Sequence, residues 1–255
     1  MSTLTLAATD SATMLRRSLR HTLRSPETMI TTIALPIVIL LMFVYVFGGA
    51  MNVDGAYIDY VVPGIILLCA GFGAGSTAVS VATDMSNGII DRFRTLAISR
   101  ASVLTGHVAG SVIRNLVMTG LVICVAVLLG FRPTTDPVRW LGAIAVLALF
   151  ILAISWLSVA LGLVAGTPEA ANGFTFVIMF LPYVSSAFVP PESMPNALHW
   201  FAENQPVTPI IETVRGLLMG TAIGNSAVLA VAWCVGISVL GYLWARALFR
   251  KKTAR

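Results

Sequence analysis

Long uncharged apolar runs are the feature that most limits the folds open to this chain. Residues 140–165 carry no charged side chain, and their length exceeds the ~20 residues that an α-helix needs to cross a bilayer. Further apolar runs cover residues 30–50, 60–82, 103–129, 172–188 and 226–244. Charged residues form 11% of the chain against roughly a quarter of soluble domains, so a soluble fold could not bury this apolar surface. The sequence therefore predicts an all-α polytopic membrane protein, with six transmembrane helices in a single domain over residues 1–255.

The distribution of basic residues orients these helices. Six spans place both termini on one side, and that side holds thirteen of the sixteen Lys and Arg residues. The opposite side holds Arg132, Arg139 and Arg215. Because cytoplasmic loops carry the excess of basic residues, both termini are expected in the cytoplasm, with the chain in the plasma membrane as a bacterial inner-membrane protein. No nucleic-acid partner is expected, since the basic residues are not interleaved with stacking aromatics.

The segment 11–24 has an amphipathic pattern ahead of the first span. Leu15, Leu19 and Leu23 recur every four residues, and four arginines surround them. A basic amphipathic helix of this kind lies flat at the inner leaflet, with its leucines at the acyl boundary. We therefore expect an interfacial helix here, in contact with membrane lipid.

Residues 84–100 form the most densely charged interior stretch of the chain. Asn87-Gly88 is a turn signal, and the residues after it separate into an apolar and a charged helical face. The apolar face is Ile89, Ile90, Phe93, Leu96 and Ala97, and the charged face includes Asp91, Arg92 and Arg94. The pattern predicts a short amphipathic helix in a cytoplasmic loop. By itself it fits either a loop at the lipid surface or a docking element for a second protein.

Residues 189–220 are too long for a turn and too interrupted by proline for a span. Two short helical pieces are predicted, one over residues 196–203 and one with Thr208 as its N-cap and Pro209 at its first helical position. Irregular backbone at membrane depth requires protein or water to satisfy its polar groups. The region is therefore interpreted as an external re-entrant or interfacial hairpin between the fifth and sixth helices.

Three glutamates lie in this hairpin region, at positions 192, 203 and 212. A carboxylate is costly in lipid, so these side chains are expected to face water, Arg215 or the hairpin of a second copy. Glu212 and Arg215 are three residues apart on a predicted helix and can meet there.

Arg114 and Asn115 lie inside the third apolar run. If the span began after Asn115, only about 14 apolar residues would remain, too few to cross. Arg114 therefore either faces protein or snorkels to the inner interface. In the first case Asp84, Glu169 or a second subunit could partner it.

Enzyme and metal chemistry have little support in this sequence. Cys69, Cys124 and Cys234 are isolated within apolar runs, and the three histidines form no ligand motif. There is no phosphate-binding GxxxxGK[ST] loop, so the chain is not expected to bind a cofactor or hydrolyse ATP. A hydrolase is disfavoured too, because the segment 73–77 is not a GxSxG nucleophile elbow.

Two of these regions resemble those of type-2 ABC-transporter permeases, in the daunorubicin and multidrug efflux branch. Residues 84–100 are similar to the family's coupling segment in the first cytoplasmic loop, although Ala97 stands where members often carry proline. Residues 188–216 are similar to its external hairpin. The residues that carry the first resemblance are Gly88, Ile89, Ile90, Asp91, Arg92, Phe93, Arg94 and Leu96. Those that carry the second are Glu192, Glu203, Pro206, Thr208, Glu212 and Arg215.

The resemblance implies a permease subunit of an ATP-driven exporter. Members of this family form permease dimers that bind two cytoplasmic ATPase subunits, which hold ATP and Mg²⁺ and dock on the coupling segments. The few charges in the spans favour an amphiphilic or apolar cargo such as a drug or a lipid, while polysaccharide or glycolipid export remains the alternative. A secondary transporter is less favoured, because only Arg114 is an ionisable residue within the spans.

Overall fold

The structure, a computed structural model, describes residues 26–49, 56–87, 100–134 and 136–253, and these ranges contain helices and no strand. The α-helices are α1 Pro26–Leu41, α2 Tyr57–Ser86, α3 Arg100–Leu128, α4 Pro137–Ala165, α5 Pro168–Met179, α6 Asn196–Asn204, α7 Val207–Met219 and α8 Ser226–Thr253. A π-helix, Met42–Phe47, continues α1, and two 3₁₀ turns, Leu181–Val184 and Pro191–Ser193, follow α5. The predicted helix over residues 11–24 lies outside the described residues.

Among the residues that the structure describes, four helices are long and apolar enough to cross a membrane, which confirms a multi-pass membrane protein. They are α2, α3 from Leu104 onward, α4 and α8. The regions of the first and fifth predicted spans contain shorter elements. The apolar segment of the first is Ile33–Phe47, and α5 has 12 residues, which extend about 18 Å against a hydrocarbon core of about 30 Å.

Helix α4 shows how the sequence sets a helix end. Pro137 occupies the first turn, where its missing N–H costs nothing, and the Asp136 carboxylate accepts a hydrogen bond from the Val138 N–H at 2.9 Å. The helix therefore begins at Pro137, three residues before Trp140, where the sequence pattern placed the start of the span. It ends at Gly166, whose φ of +74° other residues rarely adopt.

Helix α2 lies at the centre of the bundle and packs against α1, α3, α4, α5 and α7. Its residues from Val61 to Ala70 are almost fully buried. Close approach to α4 depends on Gly162, where a Cβ would come 2.5 Å from the Ala78 carbonyl oxygen. Small residues at helix crossings let backbones come close enough for van der Waals packing, the main attraction between helices in lipid.

Helix α8 packs on the other side of α4 and leaves most of its surface exposed. Trp156 of α4 meets Tyr242 of α8 edge to face, with ring centroids 5.0 Å apart. The outward side chains of α8 are apolar, including Leu240 and Val228 at about 70% exposure. A face of this composition is suited to lipid.

Two short helices, α6 and α7, occupy the region where the sequence predicted two helical pieces. The prediction that Thr208 is the N-cap of the second piece is wrong. The backbone at Pro206 is already helical, with φ −65° and ψ −27°, so α7 begins at Val207 and Thr208 lies within its first turn. The Thr208 hydroxyl donates to the Ala202 carbonyl oxygen instead, which joins α6 to α7.

Candidate functional site

The hairpin region, residues 189–220, is held to the bundle through Gln205, which lies between α6 and α7. Gln205 is 4% exposed. Its Nε2 donates to the carbonyl oxygens of Leu181, at 3.2 Å, and Val184, at 2.6 Å. Both carbonyls belong to the 3₁₀ turn after α5, where the α-helical hydrogen-bond ladder has ended. Gln205 thus satisfies backbone groups at a helix break, as irregular structure inside a bilayer requires.

The non-helical segment between this turn and α6 is also satisfied by local hydrogen bonds. The Ser185 hydroxyl donates to the Pro182 carbonyl at 2.6 Å and accepts from the Ala187 N–H at 3.2 Å. The Tyr57 hydroxyl of α2 donates to the Phe188 carbonyl at 3.0 Å. The ring of Phe188 stacks on Phe43 of the π-helix, with centroids 4.2 Å apart. These contacts join the segment before the hairpin region to the N-terminal half of α2 and to the π-helix.

Arg215 of α7 makes the most extensive side-chain contacts of the hairpin region. Its Nε and Nη2 donate to the Tyr60 carbonyl oxygen at 3.2 and 3.1 Å, and Nη2 also donates to the Ser186 carbonyl at 2.6 Å. The guanidinium carbon lies 3.9 Å from the centre of the Tyr60 ring, in cation–π geometry. Burial lowers the pKa of Arg215, while Tyr60 and Glu212 oppose this shift, and an arginine remains charged under these conditions. One side chain therefore connects α7, α2 and the segment after α5.

The three glutamates of the hairpin region have different environments. Glu192 and Glu203 are exposed, and Glu203 pairs with His199 at 3.1 Å. Glu212 accepts a hydrogen bond of 2.8 Å from the Ser226 hydroxyl at the start of α8. Within the described ranges no ion pair joins Glu212 to Arg215, whose donors are directed at carbonyl oxygens. Helical spacing made that pair possible, but it could not reveal the competing partners Tyr60 and Ser226.

A second polar region runs along the interface of α2 and α3. Four residues of α3 at four-residue spacing form what we call the polar line: His107, Ser111, Asn115 and Thr119. The last three are at most 2% exposed. The four-residue repeat is visible in the sequence, but the absence of a ligand motif around the histidines gave no reason to connect His107 with the other three.

Hydroxyl groups in the polar line join three helices. The Ser111 Oγ lies 2.8 Å from both Thr77 Oγ1 of α2 and Ser155 Oγ of α4, and it accepts from Asn115 Nδ2 at 3.2 Å. Asn115 fits against α2 because Gly73 leaves space, and a Cβ at Gly73 would overlap the Asn115 amide. The interface is therefore polar in its interior and fixed in register by side chains.

Arg114 faces protein at this same interface. Its Nη2 donates to Ser76 Oγ at 3.2 Å and to Thr77 Oγ1 at 2.9 Å, so it extends the hydroxyl network from Thr77 to Ser76 on α2. Both of these partners are neutral hydroxyls on α2. The sequence pattern suggested Asp84, Glu169 or a second subunit, and it gave no indication of hydroxyl partners.

The polar line ends in a contact between His107 and Asp84, next to the predicted coupling segment. His107 Nε2 lies 3.2 Å from Asp84 Oδ2, and both side chains are about 15% exposed. Asp84 is near the end of α2 and His107 is near the start of α3, so the pair joins the two sides of the intervening loop. The residues predicted to contact an ATPase, from Gly88 to Leu96, lie outside the described residues.

Comparisons with known proteins agree with these features. The sequence profile of the ABC-2 type transporter family matches residues 10–219. A daunorubicin resistance ABC transporter permease protein from Streptomyces coeruleorubidus is 32% identical over 218 residues, which cover 85% of this chain and 77% of the relative. A probable doxorubicin resistance ABC transporter permease protein from Mycobacterium tuberculosis is 28% identical over 228 residues, covering 88% and 82% respectively. With its membrane-spanning helices and a profile match over most of its length, the chain belongs to the ABC-2 type transporter family of permeases.

Proposed function

We propose that this chain is the membrane-spanning subunit of an ATP-driven exporter that moves an amphiphilic or apolar molecule outward across the plasma membrane. The observation that carries the proposal is the profile match over residues 10–219, which includes both the coupling segment and the hairpin region. Relatives that match most of the chain are named as drug-resistance permeases. The sequence has no phosphate-binding loop, so ATP and Mg²⁺ would bind to two copies of a separate ATPase subunit.

The proposed topology has six spans and cytoplasmic termini, with the Ile33–Phe47 segment and α5 with its following turns as the first and fifth spans. Contacts at one end of the bundle support this arrangement. The Arg132 N–H donates to Asp59 at 3.2 Å, and the Thr134 N–H donates to the Leu218 carbonyl at 2.6 Å. The segment between α3 and α4 thus contacts both the first turn of α2 and the hairpin region at the same end of the bundle. The Asp84–His107 pair lies toward the opposite ends of α2 and α3, on the side proposed to be cytoplasmic.

Assembly with a second copy is part of this proposal, because a six-helix chain has no second half to enclose a pathway. The small-residue face of α2 is not available for this contact, because Gly73 and Gly75 are packed against Asn115 and Thr175 within the protomer. Exposed apolar side chains remain on the π-helix after α1 and on α5, among them Tyr45 and Phe176. We assign the contact between copies to the surfaces of these two elements.

Helix α2 connects the two regions that the mechanism requires. ATPase closure would act on the coupling segment, with Phe93 as an aromatic anchor in a groove of the ATPase. That segment is continuous with both α2 and α3, and the Asp84–His107 contact holds the adjoining ends of the two helices together. At the outer end, Arg215 and Tyr57 join α2 to the hairpin region and the segment before it. The hairpin region would then close the outer exit and shift when cargo is released.

Uptake into inverted vesicles tests the proposed function. Vesicles that contain this chain and its ATPase should accumulate an apolar fluorescent drug when ATP is supplied. Vesicles with a catalytically inactive ATPase, matched in protein content, should not. Uptake that follows a proton gradient and ignores ATP would overturn the proposal in favour of a secondary transporter.

A further inference from the structure

A cavity lies inside the protomer at the point where α5 ends. It has about 700 Å³ of space free of protein atoms, part of it open to the surroundings. Its walls come from α2, α4, α5, the 3₁₀ turn after α5, the first residue of α7, and α8. Six of the lining residues are Leu67, Gly71, Ile154, Ser158, Thr175 and Met179.

The chemistry of the walls defines what such a cavity can hold. In the part of the chain that the structure describes, the lining contains no charged side chain, and Ser158 and Thr175 supply its only polar side chains. The Thr175 hydroxyl donates to the Ala171 carbonyl at 2.9 Å. Its methyl group packs against Gly75, so Thr175 is satisfied within the helix packing. A charged group would find no partner here and would be costly to bury.

Ser158 differs from Thr175 because its hydroxyl is available. The side chain is 5% exposed and lines the cavity, and its hydroxyl forms no hydrogen bond to any other described residue. Its presence on an otherwise apolar wall marks a position for one hydrogen-bonding group of a ligand.

Gly71 shows that the cavity wall is open on the α2 side. A Cβ at this position would meet no atom within 4 Å, although the neighbouring small residues Gly73 and Gly75 are tightly packed. The cavity therefore reaches the backbone of a central helix near the middle of its length. Helix breaks in membrane transporters are places where substrate sites form, and this cavity lies at the break after α5.

We propose that this cavity binds one uncharged, predominantly apolar molecule, oriented by a hydrogen bond to the Ser158 hydroxyl. Binding needs only the permease chain. The further assignment of the bound molecule as cargo rests on the proposed function. The ligand chemistry is a long apolar body with a single hydroxyl or carbonyl group, which a transported amphiphile and a neutral membrane lipid share.

Photolabelling of the purified permease in nanodiscs tests the binding. The probe is a C16 alcohol with a diazirine in its chain, and labelled residues are located by mass spectrometry. We expect labels on the α4 and α5 walls of the cavity and competition by excess hexadecanol. Palmitate, with the same chain length and a charged head, should compete poorly. Excess diacylglycerol is a second competitor. If it reduces labelling by the probe, the cavity accepts a two-chain membrane lipid. If labelling is unchanged, the cavity accepts a single-chain amphiphile.

Two variants with matched controls make the result specific to the cavity. Gly71→Leu fills the open space and should reduce cavity labelling about tenfold or more, because its side chain occupies the ligand volume. Gly120→Leu is the same substitution at a position of α3 that also has nothing within 4 Å, and it should leave labelling unchanged. Ser158→Ala should weaken binding of the alcohol probe roughly three- to tenfold, the effect of one hydrogen bond, and spare a diazirine-bearing C16 hydrocarbon.

Labelling that is spread over lipid-facing residues such as Leu240 and is equal in Gly71→Leu would overturn the inference. ATP-driven uptake by the same variants separates it from the proposed function. If wild-type vesicles show no uptake while cavity labelling persists, the export proposal fails and the binding site stands. If uptake proceeds and Gly71→Leu changes neither uptake nor labelling, the site fails and the export proposal stands.

Discussion

Two regions of the bundle are held together by different kinds of hydrogen bond. One is its interior, and the other is the end that carries the hairpin region, which we call the outer end because we propose that it is external. At the outer end, long side chains donate to backbone carbonyls, as Arg215 does to Tyr60 and Ser186, and Gln205 does to Leu181 and Val184. Between α2, α3 and α4, short side chains bond to one another, with Ser111 at the centre. The reason is the backbone itself. Regular helices satisfy nearly all of their own carbonyls, whereas the broken chain after α5 leaves carbonyls, those of Leu181, Val184 and Ser186, that side chains must satisfy. Tyr60, in the first turn of α2, accepts from Arg215 in addition.

This difference has consequences for what each contact supports. A donor at the outer end maintains a backbone conformation that has no other source of hydrogen bonds. A hydroxyl in the polar line adds to helix packing that van der Waals contacts already maintain. We therefore expect substitutions at the outer end to lower the free energy of unfolding more than substitutions in the interior. The following four substitutions are given in order of expected loss, from the largest to the smallest.

Arg215→Met should produce the largest effect, a loss of about 3 kcal/mol in the free energy of unfolding. The change removes charged donors from two partly buried carbonyls together with the cation–π contact to Tyr60. SDS titration in mixed micelles measures the loss. Arg215→Lys should fall between wild type and Arg215→Met, because one ammonium group cannot reproduce the guanidinium fork.

Arg139→Met is the matched control for this change. Arg139 lies at the same end of the bundle and pairs with Asp136 at 3.5 Å, but about 40% of each side chain is exposed. Its loss should cost no more than about 0.5 kcal/mol, as for other surface ion pairs. Equal losses for the two arginines would show that Arg215 does not support the hairpin region specifically.

Gly64→Ala should be next, at about 2 kcal/mol. A Cβ at Gly64 would come 2.9 Å from both the Cα and the carbonyl oxygen of Ala187, so the segment before the hairpin region would have to move away from α2. Gly71→Ala, on the same helix with open space around it, should be neutral or slightly stabilising because alanine favours helix. Thermal unfolding of both variants in the same detergent gives the comparison, and similar melting temperatures would contradict it.

Local sequence signals were sufficient for part of this architecture. The uncharged runs located α2, α3, α4 and α8, and the prolines after residue 189 separated α6 from α7. The Thr208 prediction failed because Pro206, two residues earlier, was already in helical conformation. A capping residue and a proline in the first turn are local signals. Contacts between helices, which these signals do not contain, set the residue at which α7 begins.

Long-range partners could not be predicted in the same way. Arg215 and Tyr60 are 155 residues apart, and the acceptor is a backbone carbonyl that every residue possesses. Serines and threonines in apolar helices are similarly ambiguous, since their hydroxyls can bond within the helix or across to another. Only the helix arrangement reveals that Ser111 meets Ser155 while Ser158 points into a cavity.

Gln205→Leu should cost about 1.5 kcal/mol, less than the loss of Arg215 because the donor is neutral. The leucine keeps the volume of the side chain and leaves the Leu181 and Val184 carbonyls without this donor. The exposed neighbour Asn204, whose amide donates to the Trp200 carbonyl of its own helix, provides the control as Asn204→Leu. Limited proteolysis in the hairpin region should accelerate for Gln205→Leu alone. Equal cleavage rates would exclude a role for Gln205 in stabilising the break after α5.

Ser155→Ala should be the mildest of the four changes, at about 0.6 kcal/mol, the average for hydrogen bonds between membrane helices. Ser111 loses one contact but keeps Thr77 and Asn115, so no polar group in the line is left without a partner by this change.

Thr77→Val provides the sharper test, because Thr77 bonds to Ser111 and also accepts from Arg114. Its removal takes an acceptor from a cation within the membrane and should cost more than Ser155→Ala. SDS titration of the two single variants and the double variant gives their coupling energy. A value near zero would show that the hydroxyls act separately, and a Ser155→Ala loss above that of Gln205→Leu would reverse the proposed ranking of interior and outer end.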